Sequence, residues 1–272
     1  MRHLGLKVRM VVVGSILFGF YALLAAVAFA MGVGLPIVLA GSVLFVGVQY
    51  VLGKKVALWS VGAEELSEER HRTVHDRVDR LSDEMGIEKP RLMVADMGVP
   101  NAFAVGRKGA GVVVVSSELL RLLEPDELEG VLAHELAHIR NRDVVMMVLG
   151  QSIASLVGIA VQWSILLTGD NDIADFALSM VAGTLSQLVV MVFVLAISRY
   201  REYVADSDAA DAIGGGDPLA RALEKIQRGA RGGADVESNV NALCIFGGER
   251  GLLRSLFATH PPVEKRIDRL RE

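Results

Sequence analysis

Long uninterrupted apolar segments alternate with polar stretches along this chain of 272 residues. Four of these segments have 18 or more residues and contain no charged side chain: 11–30, 35–52, 144–168 and 176–198. At about 1.5 Å of rise per residue, a helix of roughly 20 residues crosses the 30 Å hydrocarbon layer of a bilayer. The pattern therefore predicts four transmembrane helices arranged as two hairpins.

The predicted hairpins divide the chain into four parts. Residues 1–55 form the first hairpin and 144–198 the second, while 56–143 and 199–272 are polar. The first apolar segment could instead be a secretory signal, but no cleavage site is distinct and a second span follows at once. The third and fourth segments could be buried helices of a soluble core, although their length favours spans.

Basic residues give the predicted orientation of the spans. They flank the polar-domain ends of all four segments, and the loop between the last two segments has aspartates but no lysine or arginine. The basic residues are Arg2, Lys7, Arg9, Lys54, Lys55, Arg140, Arg142, Arg199 and Arg201. Because basic flanks stay in the cytoplasm, both termini and both polar parts are expected to be cytoplasmic.

The polar part 56–143 has the mixed pattern of a small α+β domain. A helix is predicted over 66–85, which has apolar residues at helical spacing and ends at Gly86. Short strands are predicted over 91–95, 101–105 and 111–115. A further helix is predicted to begin near Pro125, and another over 262–271. The expected fold class is mainly α with a small β-sheet.

Composition excludes some classes of function but does not identify one. Hydrophobic residues make up 52% of the chain, the mean hydropathy is +0.42, and the charged 22% is clustered in the polar parts. A net charge of −4 and the lack of a basic stripe argue against nucleic-acid binding. Cys244 is the only cysteine, so a metal site would have to use histidine and carboxylate ligands.

One short motif carries chemistry. His134, Glu135 and His138 occur in the pattern HExxH, which on a helix turns both imidazoles toward one metal ion. Zinc lowers the pKa of water toward neutrality, and Glu135 can act as the general base that removes its proton. Such a motif also occurs by chance on exposed helices, but here apolar residues surround it and would bury it.

A catalytic zinc needs a third protein ligand, and Glu202 is the best candidate. His138 precedes the third span and Glu202 follows the fourth, so two crossings return the chain to one membrane face close to the bilayer. Asp206, one turn farther on, could accept the second imidazole N–H of a ligand histidine. Alternatively, Glu202 is an exposed glutamate paired with Arg199 or Arg201.

Four ordered blocks of the sequence resemble the HtpX-type membrane zinc metalloproteases, relatives of the CAAX prenyl proteases. The blocks are residues 99–104 (VPNAFA), 127–143 (ELEGVLAHELAHIRNRD), 201–206 (REYVAD) and 259–267 (THPPVEKRI). The resemblance covers nearly the whole chain. A glycine-rich stretch at 247–251 departs from the asparagine–proline pair that is common in the family.

The resemblance implies a zincin-like cytoplasmic metalloprotease domain with one Zn²⁺ per subunit. It implies that Glu202 is the third zinc ligand and that Asn101 and Ala102 contribute to substrate binding. It also implies that His260 and Arg266 approach the active site, where His260 could donate to the oxyanion. On the residues alone, His260 is equally well explained as a capping or core histidine before a helix that starts with proline.

The resulting hypothesis is a zinc metalloendopeptidase in a bacterial inner membrane or an archaeal plasma membrane. Its expected substrates are polypeptides, mainly cytoplasmic regions of misfolded or damaged membrane proteins. A strand edge such as that of residues 111–115 could bind them in extended form by main-chain hydrogen bonds. Alternatives are a CAAX-type prenyl-peptide protease, which would need an enclosed chamber, and a non-catalytic scaffold stabilised by zinc. An intramembrane protease fits less well, since the polar residues 140–143 follow the motif directly.

Overall fold

The computed structural model describes residues 4–30, 32–169, 172–232 and 261–272. Within these residues the helices are α1 (Leu4–Ala30), α2 (Leu35–Ser60), α3 (Arg72–Met85), α4 (Ser117–Leu122), α5 (Pro125–Arg140), α6 (Asp143–Thr168), α7 (Ile173–Ile213), α8 (Asp217–Gly232) and α9 (Val263–Arg271). The strands are β1 (Glu64–Glu65), β2 (Arg91–Ala95), β3 (Ala102–Val105) and β4 (Val112–Ser116). The chain is mainly helical with one small mixed sheet.

The chain divides into two compact units. The first combines Met1–Leu52 with Met146–Ser198, and the second combines Gly53–Val145 with Arg199–Glu272. In the part of the chain that the structure describes, α2, α6 and α7 are long and apolar enough to cross a membrane. The first predicted span, 11–30, lies within helix α1. The number of four spans remains a prediction.

Polar contacts connect the apolar helices of the first unit. The Ser152 hydroxyl in α6 donates to Gln49 Oε1 in α2 over 2.6 Å, and the Tyr21 hydroxyl in α1 donates to Ser42 Oγ over 3.2 Å. Gly150 packs so closely against Val194 that a Cβ at Gly150 would lie 2.8 Å from that side chain. Small residues and interhelical hydrogen bonds of this kind are typical of helices that associate in lipid.

The sheet of the second unit has the strand order β1-β2-β4-β3. Strand β2 runs parallel to β4, whereas β3 and β4 form an antiparallel pair with Ala102 opposite Val115. All residues of β4 are buried, because side chains alternate between two covered faces of a central strand. The predicted strands are therefore present, with shifts of one residue at the ends of β3 and β4.

The strand edge that sequence analysis offered to a peptide is not an edge. Residues 111–115 correspond to β4, which lies between β2 and β3 and is paired on both sides. Among the described residues, β3 forms one edge of the sheet and β1 forms the other. Ser116 donates its main-chain N–H to the Asn101 carbonyl, so by alternation Ala102 and Ala104 direct their main-chain groups away from β4.

The helix predicted over 66–85 begins six residues later, at Arg72, which makes that boundary wrong. Leu66 donates its N–H to the Leu92 carbonyl over 3.0 Å, so it continues the pairing of β1 with β2. The His75 ring also lies 2.9 Å from the Leu66 carbonyl. The helix ends as predicted at Gly86, whose φ of 65° is left-handed.

Helix α5 lies at the centre of the second unit. Pro125 occupies its first turn, and Glu127 accepts a hydrogen bond from the Glu124 N–H over 2.9 Å, which caps the N-terminus. Helix α5 contacts α3, α8 and strand β3. A Cβ at Gly130 would lie 2.9 Å from the Leu219 nitrogen, so only glycine allows this approach of α5 to α8. The central position buries nearly all of α5.

Candidate metal centre

Three potential metal ligands converge where α5 meets α7. His134 and His138 lie one turn apart on α5, and their Nε2 atoms are 3.1 Å apart. Glu202 of α7 places Oε2 3.6 Å from His134 Nε2 and Oε1 3.4 Å from His138 Nε2. The alternative of an exposed Glu202 is wrong, since the residue is only 4% exposed.

These distances fit a tetrahedral metal ion. Two ligands at the zinc–nitrogen and zinc–oxygen bond lengths of about 2.0–2.2 Å lie about 3.3–3.6 Å apart when they subtend a tetrahedral angle. The two Nε2 atoms are 3.1 Å apart, and each lies 3.4–3.6 Å from one of the two Glu202 oxygens, which is close to that value. One ligand atom from each residue lies within 4.8 Å of the others, so the three residues could hold one metal ion.

A carboxylate supports the other ring nitrogen of each histidine. Asp206 Oδ1 lies 3.0 Å from His134 Nδ1, and Asp143 Oδ2 lies 2.6 Å from His138 Nδ1. A carboxylate at Nδ1 fixes the tautomer that leaves Nε2 available to a metal. Sequence analysis expected this arrangement from Asp206 and did not name Asp143.

Each of these carboxylates is paired in turn with a buried arginine. Arg266 of α9 donates to both oxygens of Asp206, over 2.8 Å from Nε and 2.6 Å from Nη2. Arg201 of α7 donates from Nε to Asp143 Oδ1 over 2.6 Å. Arg266 Nη1 also lies 3.1 Å from Glu202 Oε2. Both guanidinium groups are at most 3% exposed, which ties α9 and α7 to the centre.

The charges of the centre favour a divalent cation. Among the described residues of the centre, four buried carboxylates, Glu135, Asp143, Glu202 and Asp206, accompany two buried guanidinium groups, Arg201 and Arg266. With neutral histidines this leaves an excess of two negative charges, and buried charge requires compensation. A divalent cation would neutralise this excess.

The two histidines respond differently to this environment. Burial and the Arg266 charge lower the pKa of His134, but hydrogen bonds to Asp206 and Glu202 outweigh them and raise the pKa to about 9. Burial, the largest influence on His138, lowers its pKa to about 4, in spite of the nearby Glu202 charge. The raised pKa of His134 indicates that its surroundings favour positive charge at this position, as expected of a cation site.

Glu135 follows His134 on α5 and is 4% exposed. Its negative charge acts to raise the pKa of both His138 and Arg266. Asn101 and Ala102 are each 1% exposed, at the start of strand β3 that packs against α5. Both residues are thus buried as a whole, main chain included. His260 lies outside the described residues.

Replacement of Asp143 by asparagine is expected to lower zinc affinity and peptide cleavage about 10–100-fold, because His138 loses the carboxylate that orients it. Zinc affinity can be measured by competition with a chromogenic chelator. A matched control is Asp79→Asn, which changes an exposed aspartate on α3. Unchanged zinc affinity in Asp143→Asn would show that the 2.6 Å contact does not support the ligand.

Comparison with known proteins identifies the family of this chain. Residues 68–272 match the model of Peptidase family M48. A Protease HtpX homolog of Halobacterium salinarum is 55% identical, with 96% of this chain and 100% of the relative covered. Homologues with the same name from Persephonella marina, 37% identical over 82% of each chain, and Pyrococcus abyssi, 36% identical over 99% and 96%, are also similar.

The fold is also found in a solved structure. Ste24p of S. mikatae superposes with a TM-score of 0.62 over 98% of this chain and 66% of that chain, at 18% identity. The likeness at this identity concerns the fold alone. The family match and the close relatives go further: this chain is a membrane metalloprotease that belongs to Peptidase family M48.

Proposed function

We propose that this protein is a zinc-dependent endopeptidase that cleaves cytoplasmic segments of membrane proteins. The observation that supports the proposal most strongly is the triangle of His134, His138 and Glu202 with the buried Glu135 beside it. Two imidazoles and one carboxylate are a donor set that suits zinc and leaves a coordination position open. Membrane spans and a family of peptidases already imply a lipid bilayer and polypeptide substrates.

Each residue of the centre has a proposed role. His134, His138 and Glu202 hold the zinc ion, while Asp206, Asp143 and the paired arginines keep the ligands oriented. When bound, zinc supplies Lewis acidity that polarises the scissile carbonyl and acidifies water. Glu135 accepts a proton from the attacking water and delivers it to the leaving nitrogen. A donation from His260 to the oxyanion remains a prediction from the family resemblance.

The substrate is proposed to bind in extended form along β3. Ala104, which is partly exposed, directs its main-chain groups to the edge of the sheet, and β3 packs against the helix that carries Glu135. A peptide paired with this edge would use main-chain hydrogen bonds, which tolerate many side chains. In this interpretation Asn101 acts indirectly, because its main chain bonds to Ser116 and fixes the start of the strand.

Replacement of Ala104 by proline tests whether the substrate binds along the edge strand β3. Proline removes an N–H that points away from β4, so the pairing of β3 with β4 is expected to persist while substrate loses a hydrogen bond of about 0.5–1.5 kcal/mol. We expect KM to rise roughly tenfold or less with zinc content unchanged. Ala104→Ser, which keeps the N–H, is the matched control. Equal KM values for the two variants would contradict binding along this edge.

The membrane arrangement is part of the proposal. Four spans, with both termini and the second unit in the cytoplasm, are supported by the basic flanks of the apolar segments and by the bounds of α1, α2, α6 and α7. The site would then meet cytoplasmic loops and tails. Removal of damaged or misfolded membrane proteins is the corresponding cellular role. A bacterial inner membrane or an archaeal plasma membrane would be the setting.

The experiment that tests this function uses the full chain in proteoliposomes with a co-reconstituted membrane protein that carries a tagged cytoplasmic tail. We expect cleavage of the tail, loss of cleavage after treatment with a chelator, and recovery with Zn²⁺ but not with Mg²⁺ or Ca²⁺, whose oxygen preference does not match two histidines. Faster cleavage of a destabilised substrate would support quality control, and equal rates would contradict it. Cleavage restricted to prenylated C-terminal peptides would favour the CAAX-type alternative.

A further inference from the structure

The last two turns of α2 are apolar on opposite sides. On one side Ala57 and Leu58 pack against a buried cluster on one face of the sheet. The cluster consists of Met93, Ala95, Met97, Val99, Phe103, Val105, Val112 and Val114. Lys54 adds a hydrogen bond of 2.9 Å to the Ala110 carbonyl in the turn between β3 and β4. This side of the helix end is therefore a structural part of the second unit, which we call the catalytic unit because it contains the candidate metal centre.

The opposite side of this end of α2 is exposed. Leu52, Val56 and Trp59 are 55%, 57% and 83% exposed. With 100° of rotation per residue they lie within a sector of about 60°, so they form one stripe along the helix. We call these three residues the outer stripe. A helix that is apolar on all sides needs an apolar neighbour on each side, and a tryptophan exposed to water leaves a large apolar area uncovered.

Two observations identify lipid as that neighbour. The outer stripe continues the exposed apolar surface of the same helix, which is long and apolar enough to cross a membrane and has no buried residue. Lys55 is exposed beside the stripe, where its ammonium can reach lipid phosphates. Tryptophan next to lysine at the end of a span is characteristic of the membrane–water interface.

The length of α2 agrees with this placement. Its 26 residues extend about 39 Å, roughly 9 Å more than the hydrocarbon layer. One polar headgroup layer is about 5–8 Å thick, and a tilted helix covers less depth than its length. The excess turns at the Trp59 end therefore match the thickness of one headgroup layer.

We propose that the outer stripe lies in the headgroup layer and anchors the catalytic unit to the bilayer surface. The same helix turns pack against the buried cluster that includes Phe103 and Val105 of β3, so the anchor and the edge strand share one packed cluster. The partner is lipid, and this inference does not depend on the proposed substrates or on activity.

Tryptophan fluorescence tests the anchor directly, because the chain has only two tryptophans. In Trp163→Phe, all tryptophan emission comes from Trp59. In lipid vesicles we expect blue-shifted emission relative to water and quenching that is roughly twofold stronger by a spin label near the headgroup than by one at the chain end. Trp163→Leu provides a second background if the first variant folds poorly, and Trp59→Phe reports Trp163 alone as a control.

Two results would overturn the proposal. Emission typical of water, with quenching by aqueous iodide and none by labelled lipid, would show that Trp59 faces solvent. Blue-shifted emission without lipid quenching would show that protein covers it, and a dependence on the protein-to-lipid ratio would identify a second copy of the chain as the cover. Neither outcome bears on peptide cleavage, so the test is independent of the proposed function.

Discussion

Replacement of Glu135 by glutamine is expected to lower kcat for peptide cleavage about 10²–10⁴-fold and to leave the zinc content unchanged. Glutamine keeps the size and most contacts of the side chain but cannot accept the proton from water. Glu135 is buried next to the ligands without being one of them, so the metal should remain bound. Zinc by elemental analysis and cleavage of a labelled peptide, measured on the same preparation, provide both values.

The matched control is Glu84→Gln, which changes an exposed glutamate on α3. It should behave like the wild type in both measurements. Cleavage at the wild-type rate in Glu135→Gln would remove the residue from the reaction and leave the protein without an identified base. Loss of zinc together with activity would instead assign Glu135 to metal binding.

Replacement of Glu202 by alanine should remove both zinc and cleavage. Loss of a residue that only supports a ligand typically costs about 10–100-fold in metal affinity, so loss of one of three ligands should exceed that range. Without the Glu202 carboxylate, the positive charges of Arg201 and Arg266 would also remain near the two histidines and would repel a metal cation. Isothermal titration with zinc into metal-free protein measures the effect.

Asp211→Asn, an exposed change farther along α7, controls for effects on the helix. Wild-type zinc affinity in Glu202→Ala would contradict its role as a ligand, whatever happens to cleavage. The two glutamates are thus separable, since Glu135→Gln is expected to affect only catalysis whereas Glu202→Ala affects binding and catalysis together.

Much of the fold could be predicted because local signals were strong. Pro125 and the acidic residues after it define the start of α5, and Gly86 defines the end of α3. The boundary at 66–71 was missed because Leu66 fits a helical apolar pattern, while its actual partner, Leu92, is distant in sequence. The position of β4 inside the sheet was missed for the same reason, since strand order depends on contacts that no local pattern reveals.

The candidate centre likewise combines residues that the sequence predicts with residues that only the fold brings together. The two histidines and Glu135 follow from the spacing of one motif, and the return of Glu202 follows from counting membrane crossings. Asp143 and Arg201 were within the segments that sequence analysis examined, but only the fold shows that they meet beside His138. The sequence could have indicated a second carboxylate, because each of two ligand histidines needs a partner at Nδ1 and sequence analysis considered only Asp206.

The position of Arg266 has a consequence for biosynthesis. His134 precedes Arg266 by 132 residues, and two long apolar helices lie between them. At a synthesis rate of about 5–20 residues per second, roughly 7–26 s pass between the two residues. During this interval a nascent chain has the HExxH helix but lacks the arginine that pairs with Asp206. The pairing of Arg266 with Asp206 can therefore form only after the second hairpin has been translated.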